Sequence, residues 1–360
     1  MKINSSIVSL PSNKRDITLD ILKGIGIILV VLGHIYSGFG KSIIYLFHMP
    51  LFFFASGAVL SYSDKVSSLQ LGKKAKRLLI PYFFFSLLSF VYWWLVELPF
   101  RPSKSGYGIF HGILGQMPSS LQQFINIFIC VGGGNSFVYN TVLWFLPCMF
   151  CCVLIYTSLR RLKKYYTIAM VLFLSSIYWI LRDWGIEILP FCIGLSFLYL
   201  PFFWLGENIY SLYLRAEQNG QHSKIYTVIA FIAIFVIADI LCGDLIKYKM
   251  NGHSYGVWWS FYLIATSIII LVLFICYLIN KIKGGFCLSW LGENSLVIMC
   301  LHGPIYRAVL KLTSVLTGVD ISLIRHSLLY ALALTALTIT ITIPIIIFIN
   351  KKTPFVLGKY

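Results

Sequence analysis

Charged side chains are scarce in this chain of 360 residues. Asp, Glu, Lys and Arg together make up 11% of it, whereas soluble globular proteins carry roughly 25%. Acidic residues are the scarcer kind, with twelve Asp and Glu against twenty-nine Lys and Arg. Hydrophobic residues account for 59%, and the mean hydropathy is +0.84. This composition leaves too little polar surface to cover a water-soluble core, so it excludes a soluble globular protein and indicates a membrane protein with several spans.

Other features are missing, and each absence excludes a possibility. No internal repeat and no linker rich in Pro or Ser interrupts the sequence, so we expect one membrane domain. Apolar residues run continuously instead of alternating, which argues against membrane strands. The triplet Gly132-Gly133-Gly134 lacks the lysine and serine of a Walker motif after it, so we interpret it as a turn. No small-residue cleavage pattern follows the first apolar run, so no cleavable signal is expected.

The nine cysteines form no predicted metal site. Most of them lie inside apolar runs, where a thiol behaves as a small hydrophobic side chain. The cluster Cys148-x-x-Cys151-Cys152 superficially has metal-site spacing, yet the ligands that would complete a site are not nearby. We therefore predict a structural role for the cluster, no bound metal and no bound cofactor.

Apolar runs long enough to cross a bilayer, about 20 residues each, predict ten transmembrane helices. The fold class that follows is an all-α polytopic membrane protein. The candidate spans lie near 21–40, 43–62, 78–98, 138–158, 165–181, 187–206, 225–242, 257–279, 289–306 and 328–349.

Lys and Arg are unequally divided between the two sets of loops. With the N-terminus inside, nineteen fall on the inner side and nine on the outer side. Because cytoplasmic loops carry the excess of Lys and Arg, both termini are predicted to be cytoplasmic. The expected division is a tail at 1–14, a membrane domain at 15–350 and a tail at 351–360. The formal charge of +17 is then chiefly a topology signal, and scattered basic residues in short loops predict no nucleic-acid binding.

Ionisable residues inside a span are energetically unfavourable and are therefore candidates for function. The first span holds Lys23 and His34. Eleven residues at about 100° each come to three turns and about 20°, so the two side chains share one helix face. They are roughly 16 Å apart along the axis, with Lys23 near the cytoplasmic end and His34 in the outer half. A snorkelling lysine and a hydrogen-bonded core histidine are the alternatives, but the shared face favours a functional pair.

Other spans place polar or aromatic groups at similar depth. His48 lies about five residues into the second span, Trp144 about six residues into the fourth, and His302 late in the ninth. Together with His34 they are predicted to surround a cavity in the outer half of the membrane. His48 has a second interpretation as a cap before a proline, and Trp144 as a residue of the aromatic belt at the interface.

A cluster of cations precedes the third span on the inner side. Lys74 and Arg77 are three residues apart, so they share a helix face and are candidates to clamp a phosphate-bearing ligand. Glu293 is expected to open the ninth span, and Asp20 lies one turn before Lys23. Either carboxylate is a candidate to orient a nearby cation.

Several of these pieces together resemble the acyltransferase-3 family of integral membrane acyltransferases, especially the branch with sugar O-acetyltransferases of bacterial surface polysaccharides. The motifs that carry the resemblance are "LDILKGIGIILVVLGH" with its Lys23-x10-His34 spacing, "FHMPLFFFASG" at 47–57 and "KAKRLLIPY" at 74–82, with weaker matches in "LWFLP" at 143–147 and "WLGENSLVIMCLH" at 290–302. Lys23 and Lys74 stand where many members have arginine. Lysine keeps the charge but loses the bidentate fork for phosphate.

The resemblance implies transfer of an acyl group, commonly acetyl, from cytoplasmic acetyl-CoA to a glycan hydroxyl at or beyond the outer face of a bacterial inner membrane. The expected partners are acyl-CoA, a surface glycan or lipid-linked sugar, and membrane lipids. His34 is expected to be the general base, with an acyl-histidine intermediate as a variant, and His48 and His302 as further catalytic candidates. Lys23, Lys74 and Arg77 would bind the donor.

Two interpretations stay open beside this one. Ser56, in Ala55-Ser56-Gly57-Ala58, belongs either to close helix packing or to the site. The whole chain has a rival function as a transporter or flippase for a lipid-linked sugar, which buried charges in ten spans would also serve. The absence of two related halves counts against that rival, and the buried ionisable residues disfavour a purely structural subunit.

Overall fold

The computed structural model describes residues 15–62, 68–97, 120–130, 140–185, 189–220, 228–229, 231–232 and 258–359. Within these residues there are helices and turns but no strand, and nine helices are long and apolar enough to cross a membrane. The all-α polytopic prediction is therefore confirmed. Nine of the ten predicted spans correspond to described helices, and the candidate near 225–242 lies almost entirely outside the described residues.

We number the α-helices in chain order. They are α1 Ile17–Ile35, α2 Lys41–Ala58, α3 Ser68–Tyr92, α4 Ser120–Ile129, α5 Phe145–Leu159, α6 Lys164–Asp183, α7 Ile193–Gln218, α8 Trp258–Lys281, α9 Phe286–Glu293, α10 Ser295–Thr317, α11 Ile321–His326 and α12 Leu328–Lys352. Short 3-10 segments at Val59–Tyr62, Thr141–Trp144, Pro190–Cys192 and Pro354–Leu357 flank several of them.

Two helices occupy the region where one span was predicted near 289–306. Glu293 ends the short helix α9 instead of opening a span, and α10 begins at Ser295. Asn294 separates the two, because its backbone and its side-chain amide both donate to the Trp290 carbonyl. His302 is consequently the eighth residue of a 23-residue helix, so the prediction that it lies late in its span is wrong.

The described residues cluster into two compact units. The first consists of residues 1–66 and 199–295, which include α1, α2, most of α7, α8 and α9. The second consists of residues 67–198 and 296–360, which include α3 to α6 and most of α10 to α12.

In the first unit, α1 packs against α2, α8 and the short helix α9. Two glycines allow α1 and α9 to approach at the level of their backbones. A side chain at Gly24 would overlap the Leu288 carbonyl, and one at Gly292 would overlap the Asp20 carbonyl. Close approach of this kind raises the number of van der Waals contacts between membrane helices. It holds the N-terminal half of α1 in place.

Replacement of Gly292 by Ala is expected to disrupt this contact. The new Cβ would meet backbone atoms of Asp20 and of Gly24, which cannot rotate away, so we expect a loss at or above the usual 1–3 kcal/mol for overpacking. The measurement is the temperature at which the detergent-solubilised protein loses its monodisperse peak. The control is Gly72→Ala, because Gly72 lies in α3 with no atom within 4 Å of its added Cβ. Equal stability of the two variants would contradict the prediction.

In the second unit, α3 packs against α5, α4 and the C-terminal 3-10 segment. That segment lies in the stretch expected to be a tail, yet Val356 and Leu357 are buried. Gly358 has a φ of +63°, and its backbone passes so close to Lys76 that a Cβ would come within 2.5 Å of the Lys76 carbonyl oxygen. The described part of the C-terminus therefore packs on the start of α3, beside the predicted cation cluster.

Candidate functional site

Helix α1 carries both predicted residues of the first span. It is continuous from Ile17 to Ile35, so Lys23 and His34 share a face as their spacing predicts. Asp16 caps the N-terminus by accepting a hydrogen bond from the Leu19 backbone at 3.1 Å, which satisfies one of the open donors of the first turn. The helix thus places a cation near one end and an imidazole near the other.

Lys23 is paired with a buried carboxylate. Its Nζ lies 2.6 Å from Oδ1 of Asp20, a residue that is 3% exposed, while 26% of the Lys23 side chain stays exposed. Arg15 contacts the second oxygen of Asp20 at 3.2 Å and also reaches Glu293 at 3.2 Å. Asp20 therefore contacts Lys23, whereas the cation beside Glu293 is Arg15. A buried carboxylate shared by two cations fixes where the Lys23 ammonium lies.

Asp16 does more than cap the helix. The hydroxyls of Tyr62 and Tyr210 both donate to its carboxylate, and Tyr210 is 1% exposed. These contacts tie the start of α1 to the end of the second span and to α7. We did not predict a role for Asp16 or Arg15, although an Asp immediately before an apolar run is a known helix-start signal.

The other end of α1 meets α2 through an aromatic contact. The hydroxyl of Tyr45 lies 3.4 Å from Nδ1 of His34, and the ring of Tyr45 packs edge-on against His48 with centroids 5.0 Å apart. Lys41 stands over the same ring at 5.2 Å. His34, Tyr45 and His48 therefore form one group, which we call the His–Tyr–His cluster.

Hydrogen bonds restrict the tautomer of one histidine in this cluster. His48 is 4% exposed, and its Nδ1 lies 2.7 Å from the Ile44 carbonyl. A carbonyl only accepts, so Nδ1 of His48 carries the proton and the lone pair of the neutral ring is on Nε2. The Tyr45 hydroxyl can donate or accept, so it does not fix the tautomer of His34. In the tautomer whose Nδ1–H donates to Tyr45, the lone pair of His34 is on Nε2.

Tyr45 was not predicted as a site residue, although a signal for it exists. Lys41, Tyr45 and His48 are spaced i, i+4 and i+7, which puts them on one face of a helix. The three residues share a face only if α2 starts at Lys41, two residues before the start of the predicted span at 43. The earlier start also makes His48 the eighth residue of its helix instead of about the fifth.

Ser56 lies in the part of α2 that packs closely on α7. A side chain at Gly57 would overlap the Phe203 carbonyl, and one at Gly206 would overlap the Phe54 carbonyl. Ser56 itself is half-buried. The close-packing interpretation therefore holds for this segment, and a role of Ser56 in the site stays a prediction.

His302 is fully buried in the second unit. Its Nδ1 lies 3.0 Å from the Ile298 carbonyl, which assigns the proton to Nδ1 as in His48. Nearby, the amide of Asn140 donates to the Cys300 carbonyl at 2.9 Å and to Ser89 at 3.1 Å. Asn140 was not predicted. It ties α3 and the segment before α5 to the turn of α10 that precedes His302.

Trp144 also belongs to the second unit. It is half-buried and ends the 3-10 turn Thr141–Trp144, just before α5 starts. Trp144 is therefore the fourth residue of the candidate span Thr141–Leu159, instead of about the sixth, and the α-helical part of that span starts after it. The predicted cavity of His34, His48, His302 and Trp144 draws on both units and stays a prediction.

Lys74 and Arg77 lie in the first turns of α3, within the helix and not before it. Arg77 is exposed and Lys74 is half-buried. Both positions are compatible with an anionic ligand, and their proposed cooperation with Lys23 stays a prediction. In the described part of the chain, no group of three or more His, Cys, Asp and Glu side chains could hold a metal ion.

Comparison with known proteins assigns the chain to a family. A family model described as an acyltransferase domain, acyltransferase-3, matches residues 16–347. Nodulation protein NolL of Sinorhizobium fredii (strain NBRC 101917 / NGR234) is 42% identical over 92 residues, which cover 21% of this chain and 25% of that protein. Nodulation protein NolL of Mesorhizobium japonicum (strain LMG 29417 / CECT 9101 / MAFF 303099) is 38% identical over 112 residues, covering 26% and 28%.

The matched part spans about a quarter of the length of these curated relatives. No solved structure matches the chain. The family match is much broader than these local identities, because it runs from the cap of α1 into α12. The chain therefore belongs to the acyltransferase-3 family of membrane proteins.

Proposed function

We propose that this chain is a membrane-embedded O-acyltransferase. It moves an acyl group, taken here to be acetyl, from cytoplasmic acyl-CoA to a hydroxyl of a cell-surface glycan or its lipid-linked precursor. The observation that carries the proposal is α1, which bears Lys23 held by Asp20 near one end and His34 in the His–Tyr–His cluster near the other. Membership of the acyltransferase family supports it.

The chemistry assigned to His34 is general base catalysis. A sugar hydroxyl is a weak nucleophile, and a neutral imidazole within hydrogen-bond distance can take its proton as the oxygen attacks the thioester carbonyl. The new C–O bond forms, the C–S bond breaks, and the CoA sulfur leaves and takes the proton back from the imidazolium. The products are an acetyl ester and free CoA, so the step needs no resident cofactor. His48 and His302 are further candidates for the proton transfer.

Lys23, Lys74 and Arg77 are proposed to bind the donor. An ammonium has three donors, and Asp20 occupies one direction around Lys23, so phosphate or pantetheine oxygens can take the others. The separation of roughly 16 Å between Lys23 and His34 suits a donor with a long flexible arm between its phosphates and its thioester, as in CoA.

Donor binding at Lys23 and chemistry at His34 fit one orientation, in which the protein lies in the inner membrane of a bacterial cell with both termini in the cytoplasm. The excess of Lys and Arg in one set of loops supports it. In that orientation Lys23 lies on the side that holds acyl-CoA, and the His–Tyr–His cluster lies nearer the side where surface glycans are assembled.

The proposal is tested with purified protein in liposomes. Acetyl-CoA labelled in the acetyl group is supplied together with a polysaccharide and lipid-linked sugar fraction from bacterial membranes. We expect protein-dependent covalent label on the glycan, released by mild alkali as esters are. Absence of transfer, together with movement of the lipid-linked sugar across the bilayer without CoA, would overturn the proposed acyltransferase activity and favour a transporter or flippase.

Tyr45 is expected to act as a positioning residue for His34. Tyr45→Phe keeps the ring against His48 but removes the hydroxyl at 3.4 Å from His34. A neutral hydrogen bond contributes about 0.5–1.5 kcal/mol, so kcat should fall up to about tenfold with the KM for acetyl-CoA unchanged. Tyr330→Phe, at an exposed tyrosine of α12, is the matched control. A change in KM without a change in kcat would contradict this role.

A further inference from the structure

Two cysteines of the second unit face each other where the proposed function uses neither. Cys130 follows α4, and Cys192 ends the turn Pro190–Cys192 before α7. Their sulfur atoms lie 3.4 Å apart, and the Cys192 backbone donates to the Cys130 carbonyl at 3.1 Å. A disulfide has an S–S length of about 2.0 Å, so a side-chain shift of about 1.4 Å would join them.

The backbone at both cysteines is in the left-handed region. Cys130 has a φ of 44° and Cys192 a φ of 56°. The position after a helix usually takes glycine or asparagine when it is left-handed, since they have little steric penalty there. Non-glycine residues in this region persist when surrounding contacts impose it. Phe191, which precedes Cys192, is left-handed as well, so this turn is constrained as a whole, and it directs the two thiols at each other.

The proposed orientation places this pair outside the cytoplasm. Cys130 lies in the predicted loop between the spans near 78–98 and 138–158, and Cys192 lies near the start of the span near 187–206. Both are therefore on the outer side in the proposed orientation. Disulfides form and persist in compartments outside the cytoplasm, where glutathione and thioredoxin do not reduce them. The inference thus uses the orientation, but it does not depend on the transfer chemistry.

We propose that Cys130 and Cys192, which are 62 positions apart in the sequence, form a disulfide between the end of α4 and the start of α7. The two thiols lose two protons and two electrons and form one S–S bond. The acceptor is an extracytoplasmic disulfide donor of the thiol–disulfide exchange class, whose own disulfide is reduced to two thiols. Cys130 and Cys192 are 0% and 1% exposed, so the bond forms while the chain folds and is shielded afterwards.

A third cysteine lies near this pair, so the proposal must say which two are joined. Cys151 lies close by, but its Sγ contacts the Phe191 carbonyl at 3.3 Å. The backbone contact joins Cys192 to Cys130, which makes Cys130 the partner and leaves Cys151 reduced.

The test counts thiols in protein purified without reductant. After denaturation in detergent, a polyethylene glycol maleimide should add seven tags, because two of the nine cysteines are bridged, and nine tags after reduction. A Cys130→Ser and Cys192→Ser double variant should take seven tags in both states. The matched control Cys276→Ser should take one tag fewer than wild type in both states and still gain two on reduction.

Peptide mass spectrometry identifies the partners. We expect a peptide containing Cys130 joined to one containing Cys192, and lost on reduction. Recovery of both as alkylated thiols, or a bridge to Cys151 instead, would overturn the proposal whether or not acyl transfer is found. Conversely, absence of acyl transfer in a protein that contains the bridge would count against the proposed acyltransferase function but not against the proposed disulfide.

Discussion

Replacing His34 by Gln is expected to reduce acyl transfer about 10²- to 10⁴-fold, the usual contribution of a positioned acid or base. Glutamine retains a polar side chain that can contact Tyr45 but has no group that accepts a proton at neutral pH. His34 is half-buried at the end of a helix, so the substitution leaves little cavity. The measurement is the initial rate of label transfer in liposomes at equal inserted protein.

The control for this result is another histidine of the same chain. His326 is the last residue of α11, is exposed, and has its Nδ1 2.8 Å from the Ser322 carbonyl. His326→Gln should transfer at the wild-type rate. If His34→Gln keeps a rate within about threefold of wild type while folding normally, His34 is not the base, and His48 becomes the first residue to test.

The second large effect is expected at Lys23. Lys23→Gln removes the cation on the face of α1 that His34 shares, while Arg15 still contacts Asp20, so the buried carboxylate keeps a partner. Hydrogen bonds to charged groups contribute about 1.5–3 kcal/mol, which predicts a rise of about 10- to 100-fold in the KM for acetyl-CoA. kcat should change little, because binding shared by ground and transition states does not alter it.

Two further variants separate donor binding from a general loss of charge. Lys23→Arg keeps the cation and should stay within a few-fold of wild type. Lys281→Gln removes an exposed lysine at the end of α8 and should leave the KM unchanged. A Lys23→Gln protein with unchanged KM but a lower thermal stability would show that the pair with Asp20 is structural only.

The membrane architecture was predictable because composition and long apolar runs determine it directly. The shared face of Lys23 and His34 was predictable too, since it needs only a continuous helix, and α1 is one. Helix starts were harder. Hydropathy marks neither the start of α2 nor the break between α9 and α10. The polar Lys41 belongs to α2, whereas the polar Asn294 interrupts the helix.

Contacts between distant segments could not be read from the sequence. The approach of Gly292 to Asp20 and the donation of Tyr210 to Asp16 join segments that are far apart in the sequence. A glycine in a span has the same appearance whether it faces lipid or another backbone. The cysteines illustrate the same point, because no sequence pattern pairs Cys130 with Cys192, and only the fold brings them together.

For the proposed acyl transfer, helix α1 has a consequence for the choice of acyl donor. Because one uninterrupted helix carries both the cation and the imidazole, their separation is set by the α-helical rise and does not depend on how other helices shift. A donor bound as proposed must therefore match a fixed length as well as a charge. Small acyl phosphates can occupy one end of this distance but not both, so length alone would discriminate against them and in favour of CoA esters.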